Sequence, residues 1–144
     1  MADSYRNLDV YKLSMKFAYD VYQIVSTFPD FEKFGLSSQL RRAVISVPSN
    51  IAEGSGRQYK KEFVQFLFLA KGYLREAMTQ LELSKMFGYI DEETFSQIKD
   101  QANRLHKMLN RLISRLKNPG GSATRSQGRR TGPRVWTMDG SRSD

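Results

Sequence analysis

Apolar residues recur every three or four positions through almost all of the first 117 residues. That period belongs to helices that bury one face. No stretch alternates with period two, so no sheet is predicted. The first helix should begin near Asn7 as N-cap, with Asp9 in its first turn, and end near Phe28, because Pro29 disfavours helical geometry in the residue before it. It carries two apolar seams: Leu8, Tyr11, Met15, Ala18, Tyr22, Val25 on one side and Val10, Leu13, Phe17, Val21, Ile24, Phe28 on another. The second helix should run from Ser37 or Ser38 to Gly54, a natural left-handed cap. Ser55 and Gln58 have capping-box spacing for a third helix from about Tyr59 to Phe87. Its main seam is Phe63, Phe66/Leu67, Ala70, Leu74, Ala77/Met78, Leu81, and its first half, "FVQFLFLA", is apolar everywhere except Gln65. Gly88 ends this helix. Asp91 then caps a fourth, whose seam Phe95, Ile98, Ala102, Leu105, Leu109, Leu112, Leu116 steps alternately by three and four, as in left-handed bundles.

These spacings predict an all-α protein: an antiparallel up-and-down four-helix bundle over residues 1–117, with a kinked second helix. One seam of the first helix can face its own bundle and the other needs another partner. The first half of the third helix is apolar nearly all round, more than a small bundle can bury internally. Both features argue for a homo-oligomer.

The second helix contains "QLRRAVISVPSNIAEGSGR". At 100° per residue, Leu40, Ala43, Val44, Val47 and Ile51 share one side, and Arg42, Ser46, Ser49, Asn50 and Glu53 share the other. Pro48 removes a backbone donor and frees the carbonyl of Val44, which nearby hydroxyls such as Ser46 and Ser49 could help satisfy. The polar stripe reads first as a packing device: small side chains admit another helix, and Arg42, Asn50 and Glu53 bond across the contact. The competing reading is a ligand groove.

Composition changes near Asn118. "NPGGSATRSQGRRTGPRVWTMDGSRSD" is rich in Gly, Ser and Arg without an apolar period, so residues 118–144 are expected to be a flexible basic tail. Trp136, the sole tryptophan, suggests a docking segment as the competing reading. The net charge is +8, split evenly between residues 1–116 and residues 117–144. The helical part is therefore only mildly basic, which permits a polyanion partner without demanding one. No signal-peptide pattern and no run of about 20 apolar residues is present, so the expectation is a soluble cytoplasmic protein without a membrane partner.

The absence of cysteine excludes disulfides, thiolate catalysis and thiolate metal sites. His106, the single histidine, reads as a surface residue between Leu105 and Lys107. No histidine pair or carboxylate dyad stands out, so neither an enzyme nor a metal or cofactor site is expected. The glycines of "EGSGRQYKK" could present backbone donors to a phosphate, but no phosphate-loop pattern accompanies them. Two basic groups do emerge. Arg57, Lys60 and Lys61 cluster where the third helix starts, and Arg104, Lys107, Arg111 and Arg115 share one side of the fourth, with no acid between Asp100 and Asp139. Both are candidate nucleic-acid-binding residues, through backbone phosphates rather than base edges.

The stretches "FGLSSQLRRAVISVPSNIAEGSGR" and "EFVQFLFLAKGYLREAMTQLEL" closely resemble the family of four-helix bundle proteins related to the intervening-sequence protein of bacterial large-subunit ribosomal RNA. Ala70, Gly72 and Glu76 match the family pattern, Tyr73 stands where serine is common, and the resemblance spans about residues 5–117. It implies an up-and-down bundle assembled as a ring-shaped homo-oligomer, a pentamer in known relatives. A related bundle is the accessory variability determinant of diversity-generating retroelements, which assists a reverse transcriptase and binds nucleic acid. The resemblance thus implies a non-enzymatic accessory or scaffold that binds RNA or DNA, with a reverse transcriptase or other protein as a further partner. The alternative is an oligomeric protein-binding scaffold with no nucleic-acid role.

Overall fold

The computed structural model describes residues 4–118, 135–136 and 142–143. A single turn, α1 (Ser4–Asn7), leads into four long helices: α2 (Asp9–Val25), α3 (Leu36–Ser55), α4 (Lys60–Met86) and α5 (Glu92–Lys117). Each packs on its chain neighbours, and α2 closes the bundle against α5. Most of the predicted tail lies outside the described residues. Within it a two-residue strand, β1 (Val135–Trp136), pairs antiparallel with β2 (Arg142–Ser143), and β1 lies against α5. That two-residue pairing lies outside the bundle, which is all-α as predicted.

The core follows the predicted seams. Phe95, Ile98, Ala102, Leu105, Leu109 and Leu112 of α5 are buried, as are Leu67, Ala70, Leu74, Ala77, Met78 and Leu81 of α4 and Leu40, Ala43, Val44, Val47 and Ile51 of α3. In α2 the seam from Val10 to Phe28 turns inward. The other leaves Met15 and Tyr22 exposed, with Tyr19 beside them. With Tyr11, Ala18, Gln23 and with Ile45, Pro48, Ser49 and Ala52 of α3, these residues line an open groove of about 520 Å³.

Several local expectations give way to tertiary packing. Gly54 does not end its helix. It is buried within α3, where an added Cβ would lie 2.6 Å from Phe66 Cβ and 2.9 Å from Phe63 Cδ1. Its missing side chain lets α4 approach, and Gly56 caps the helix in a right-handed conformation. The start of α3 is held from outside: the Glu32 carboxylate accepts from Leu36 N at 2.9 Å and from the Tyr89 hydroxyl at 2.8 Å. Leu8, not Asn7, is the N-cap of α2, which ends at Val25 rather than near Phe28. The proposed Ser55 capping box is not formed, since the N-cap of α4 is Tyr59 without a side-chain cap and Ser55 donates instead to Ala52 O.

The C-terminus of α4 behaves as predicted. Gly88, the single residue with positive φ among those described (+82°), lets Gly88 N bond Lys85 O and Tyr89 N bond Ser84 O. This double closure requires the left-handed conformation that glycine adopts without strain.

His106 is a correction. It is 2 % exposed, within the bundle. Ala102, His106, Leu109 and Ile113, all buried, form a second seam beside the first, so the interior face of α5 is wider than one three-four repeat.

Candidate nucleic-acid interface

The antiparallel order brings the start of α4 and the end of α5 to one end of the bundle. There Lys60, Lys61, Val64, Gln65 and Phe68 of α4 face Leu116 and Lys117 of α5 across an open groove of about 550 Å³. Phe68 is 46 % exposed. The ammonium of Lys71 stands 5.3 Å from its ring centroid and that of Lys117 5.6 Å. Arg57, just before α4, is drawn to its own neighbours: its guanidinium lies 4.8 Å over the Phe66 ring and pairs with Glu53 at 2.8 Å.

Arg104, Lys107, Arg111 and Arg115 are all exposed on α5. Arg111 and Arg115 border a separate groove against Leu8 and, in α2, Asp9 and Val10. The two predicted basic groups do not merge: at one end of the bundle Lys60 and Lys61 line the α4–α5 groove and Arg111 and Arg115 the α2–α5 groove, while Arg104 and Lys107 stand further back along α5. Lys117, Lys71 and Phe68 complete the first group. Sequence reasoning missed them because it took α4 and α5 separately.

The polar stripe of α3 turns back on its own helix. Ser46 Oγ donates to Arg42 O, Ser49 Oγ to Ile45 O and Asn50 Nδ2 to Ser46 O, each four residues back at 2.7–2.8 Å. The hydroxyls thus bond the carbonyls of Arg42 and Ile45, not the freed carbonyl of Val44, because a helical serine reaches the carbonyl one turn before itself. Within one chain, Asn50 bonds its own helix and Glu53 pairs with Arg57, so neither makes the expected bond to another helix.

The opposite end of the bundle is acidic. Asp91 Oδ1 accepts from Thr94 N at 2.8 Å, and that backbone bond holds the Asp91 carboxyl below its ordinary value. Glu92 and Glu93 follow in the first turn of α5. Tyr89's phenol is pushed up by its bond to Glu32. Midway along the bundle, burial pushes the Asp20 carboxyl up, but hydrogen bonds from Lys16 and Gln101, each 2.7 Å, outweigh it and hold the group low. These are structural contacts. Among the described residues no group of three or more His, Cys, Asp or Glu could hold a metal, and no helix is long and apolar enough to cross a membrane.

A family model described as 23S rRNA-intervening sequence protein matches residues 6–111. The chain is also similar to a solved Bacteroides thetaiotaomicron protein, described as of unknown function from the S23 ribosomal protein family. That similarity has 27% identity and a TM-score of 0.68, and it covers 72% of this chain and 97% of the other. No curated protein sequence matches the chain.

Proposed function

The chain belongs to the 23S rRNA-intervening sequence protein family, and from that premise we propose that it is a non-enzymatic bundle that binds the phosphate backbone of RNA or DNA at its basic end, as an accessory or scaffold. The observation that carries this reading is the placement of Lys60 and Lys61. Both stand in the first turn of α4. The backbone N–H groups there form the positive pole of the helix, so cations are disfavoured. Two adjacent lysines at that position cost helix stability, and an anion brought there would meet both the side chains and the helix terminus. Arg115 and Lys117, in the last turn of α5, need no such explanation, since cations favour that end.

Contacts to phosphate release counterions, so affinity should fall steeply with salt. The test is fluorescence anisotropy with a labelled oligoribonucleotide, at salt raised from about 50 to about 200 mM. Two variants separate the two grooves: Lys60→Gln/Lys61→Gln/Lys117→Gln, and Arg104→Gln/Lys107→Gln/Arg111→Gln/Arg115→Gln. Weakened binding with a shallower salt slope in either variant identifies the groove used. No binding at low salt, or binding that both variants leave intact, sinks the reading.

The groove between α2 and α3 favours a second reading. Tyr19, Met15, Ile45 and Tyr22 leave between 39% and 65% of their surface in solvent along it, an apolar face of the kind that marks association sites. It supports a homo-oligomeric ring, and a protein scaffold is the alternative role. Light scattering of the wild type and of Tyr19→Glu/Ile45→Glu tests the assembly: a change from oligomer to monomer supports it, and a monomeric wild type defeats it. A partner captured from cell extract that persists after nuclease treatment would favour the scaffold over the nucleic-acid role.

A further inference from the structure

We infer that Phe68 is a stacking platform for an unpaired base, so that the α4–α5 groove selects single-stranded over double-stranded nucleic acid. This inference rests on the nucleic-acid reading above and deepens it.

Phe68 is on the third turn of α4, outside the core, with 46 % of its surface exposed. Val64 and Leu67, on the same stretch of helix, are buried. The bundle therefore has room to bury apolar side chains here, and Phe68 is not one of them. The charged residues that line its groove are all cationic. Lys60, Lys61 and Lys117 line the same groove, and Lys71 and Lys117 hold their ammonium groups within 5.6 Å of the ring centroid. A neutral peptide or a lipid tail would gain little from two ammonium groups at the ring and two more lysines along the groove, whereas a polyanion carrying flat aromatic groups matches both parts. Lysines that track a backbone and an aromatic ring that receives a base are the two components of sequence-tolerant single-strand recognition.

The ammonium groups near the ring do not preclude stacking. Cation–π contacts at exposed sites are weak, and a base stacked on the ring is worth more. On binding, the flexible lysine side chains exchange the ring for phosphate oxygens, where the attraction is between full charges. A duplex cannot use the ring, because its bases already stack on one another and only its phosphates are presented. Gln65, also lining the groove, offers an amide for the edge of a seated base.

The experiment compares the full chain with Phe68→Ala and Phe68→Trp, using a labelled single-stranded oligoribonucleotide and its matched duplex, each across a salt series. Phe68→Ala should weaken single-strand binding about tenfold or more. It should leave duplex binding and the salt slope unchanged, because no charge has been removed. Phe68→Trp should retain or tighten single-strand binding. The inference is overturned if Phe68→Ala leaves single-strand affinity intact or weakens both probes equally. It is also overturned if the variant's only effect is a change in oligomeric state by light scattering, which would make the ring a contact between copies. Salt-dependent binding that ignores Phe68 would leave the nucleic-acid reading standing and remove this one. A wild type that binds neither probe would remove both.

Discussion

Both ends of the bundle concentrate charge, but the charges are placed by different rules. At the acidic end every major group meets a helix terminus that needs it. Asp91 caps α5, Glu92 and Glu93 sit in its first turn, and Glu32 accepts from the first N–H of α3. Negative charge at an N-terminus is what helix electrostatics favours, so this end is explained by stability alone. At the basic end the rule holds for Arg115 and Lys117 and fails for Lys60 and Lys61, which stand at an N-terminus with the disfavoured sign. Glu62 follows them in the same turn and offsets them only in part. Charge density alone would have marked both ends as sites. The sign of the charge relative to the helix separates the end that stability explains from the end where function is the better account.

The sharpest way to break that contrast is charge reversal. Lys60→Glu/Lys61→Glu should weaken oligonucleotide binding on the order of a hundredfold at low salt. It should also raise thermal stability, each change adding about 0.3–1 kcal/mol by correcting the sign at the helix terminus. Opposite signs in the two assays support a functional role; a lower melting temperature would show the lysines to be structural. The matched control, Asp30→Lys/Glu93→Lys, should not weaken binding.

For stability alone the largest loss is expected for Phe95→Ala in the core of the acidic end. Phe95 is fully buried, so its truncation should cost about 3–5 kcal/mol in chemical denaturation. The protein that remains folded should bind nucleic acid as before, since the two ends act separately. A smaller loss is expected for Gly54→Ala at the basic end, about 1–3 kcal/mol. The added methyl meets Phe66 Cβ at 2.6 Å, an atom too close to the α4 backbone to swing aside. Unchanged stability would show that α3 and α4 separate there without cost.

The smallest effect is the charge at Asp91. Asparagine caps nearly as well, so Asp91→Asn isolates the carboxylate. The bond from Thr94 N holds the folded-state pKa of Asp91 below the ordinary carboxylate value, so the charge contributes stability above that ordinary value and loses it as pH falls through the folded pKa. The wild type should melt higher than the variant at neutral pH, and the gap should close in acid below the ordinary carboxylate range. A gap independent of pH would mean that the carboxylate's charge adds nothing.

Much of this architecture was legible in the chain. The alternating three-four seam of α5 named its buried face, Gly88 and Asp91 named a turn, and the "LRRAVISVPSNIAEG" stretch named the family. The errors share a cause. Gly54 resembled a cap because local sequence shows where glycine stands but not that Phe63 and Phe66 press against it. His106 resembled a surface residue because one seam was counted where two are buried. Ser46 and Ser49 resembled donors to the Val44 carbonyl freed by Pro48, and Asn50 an interhelical donor, yet within one chain each bonds the carbonyl four residues back on its own helix. The candidate site was half legible: Lys60 and Lys61 are adjacent in sequence, but Lys117 joins them from 56 residues away.

By itself, then, the sequence determined the elements, their apolar faces and their antiparallel order, because periodicity, caps and short connections are local properties. Tertiary structure decided which of the two seams on α2 faces inward and which glycine is a cap or a close approach. It also decided that Phe68 stands among lysines from two helices. Those outcomes depend on distances between residues far apart in the chain, and they are set only when the helices pack.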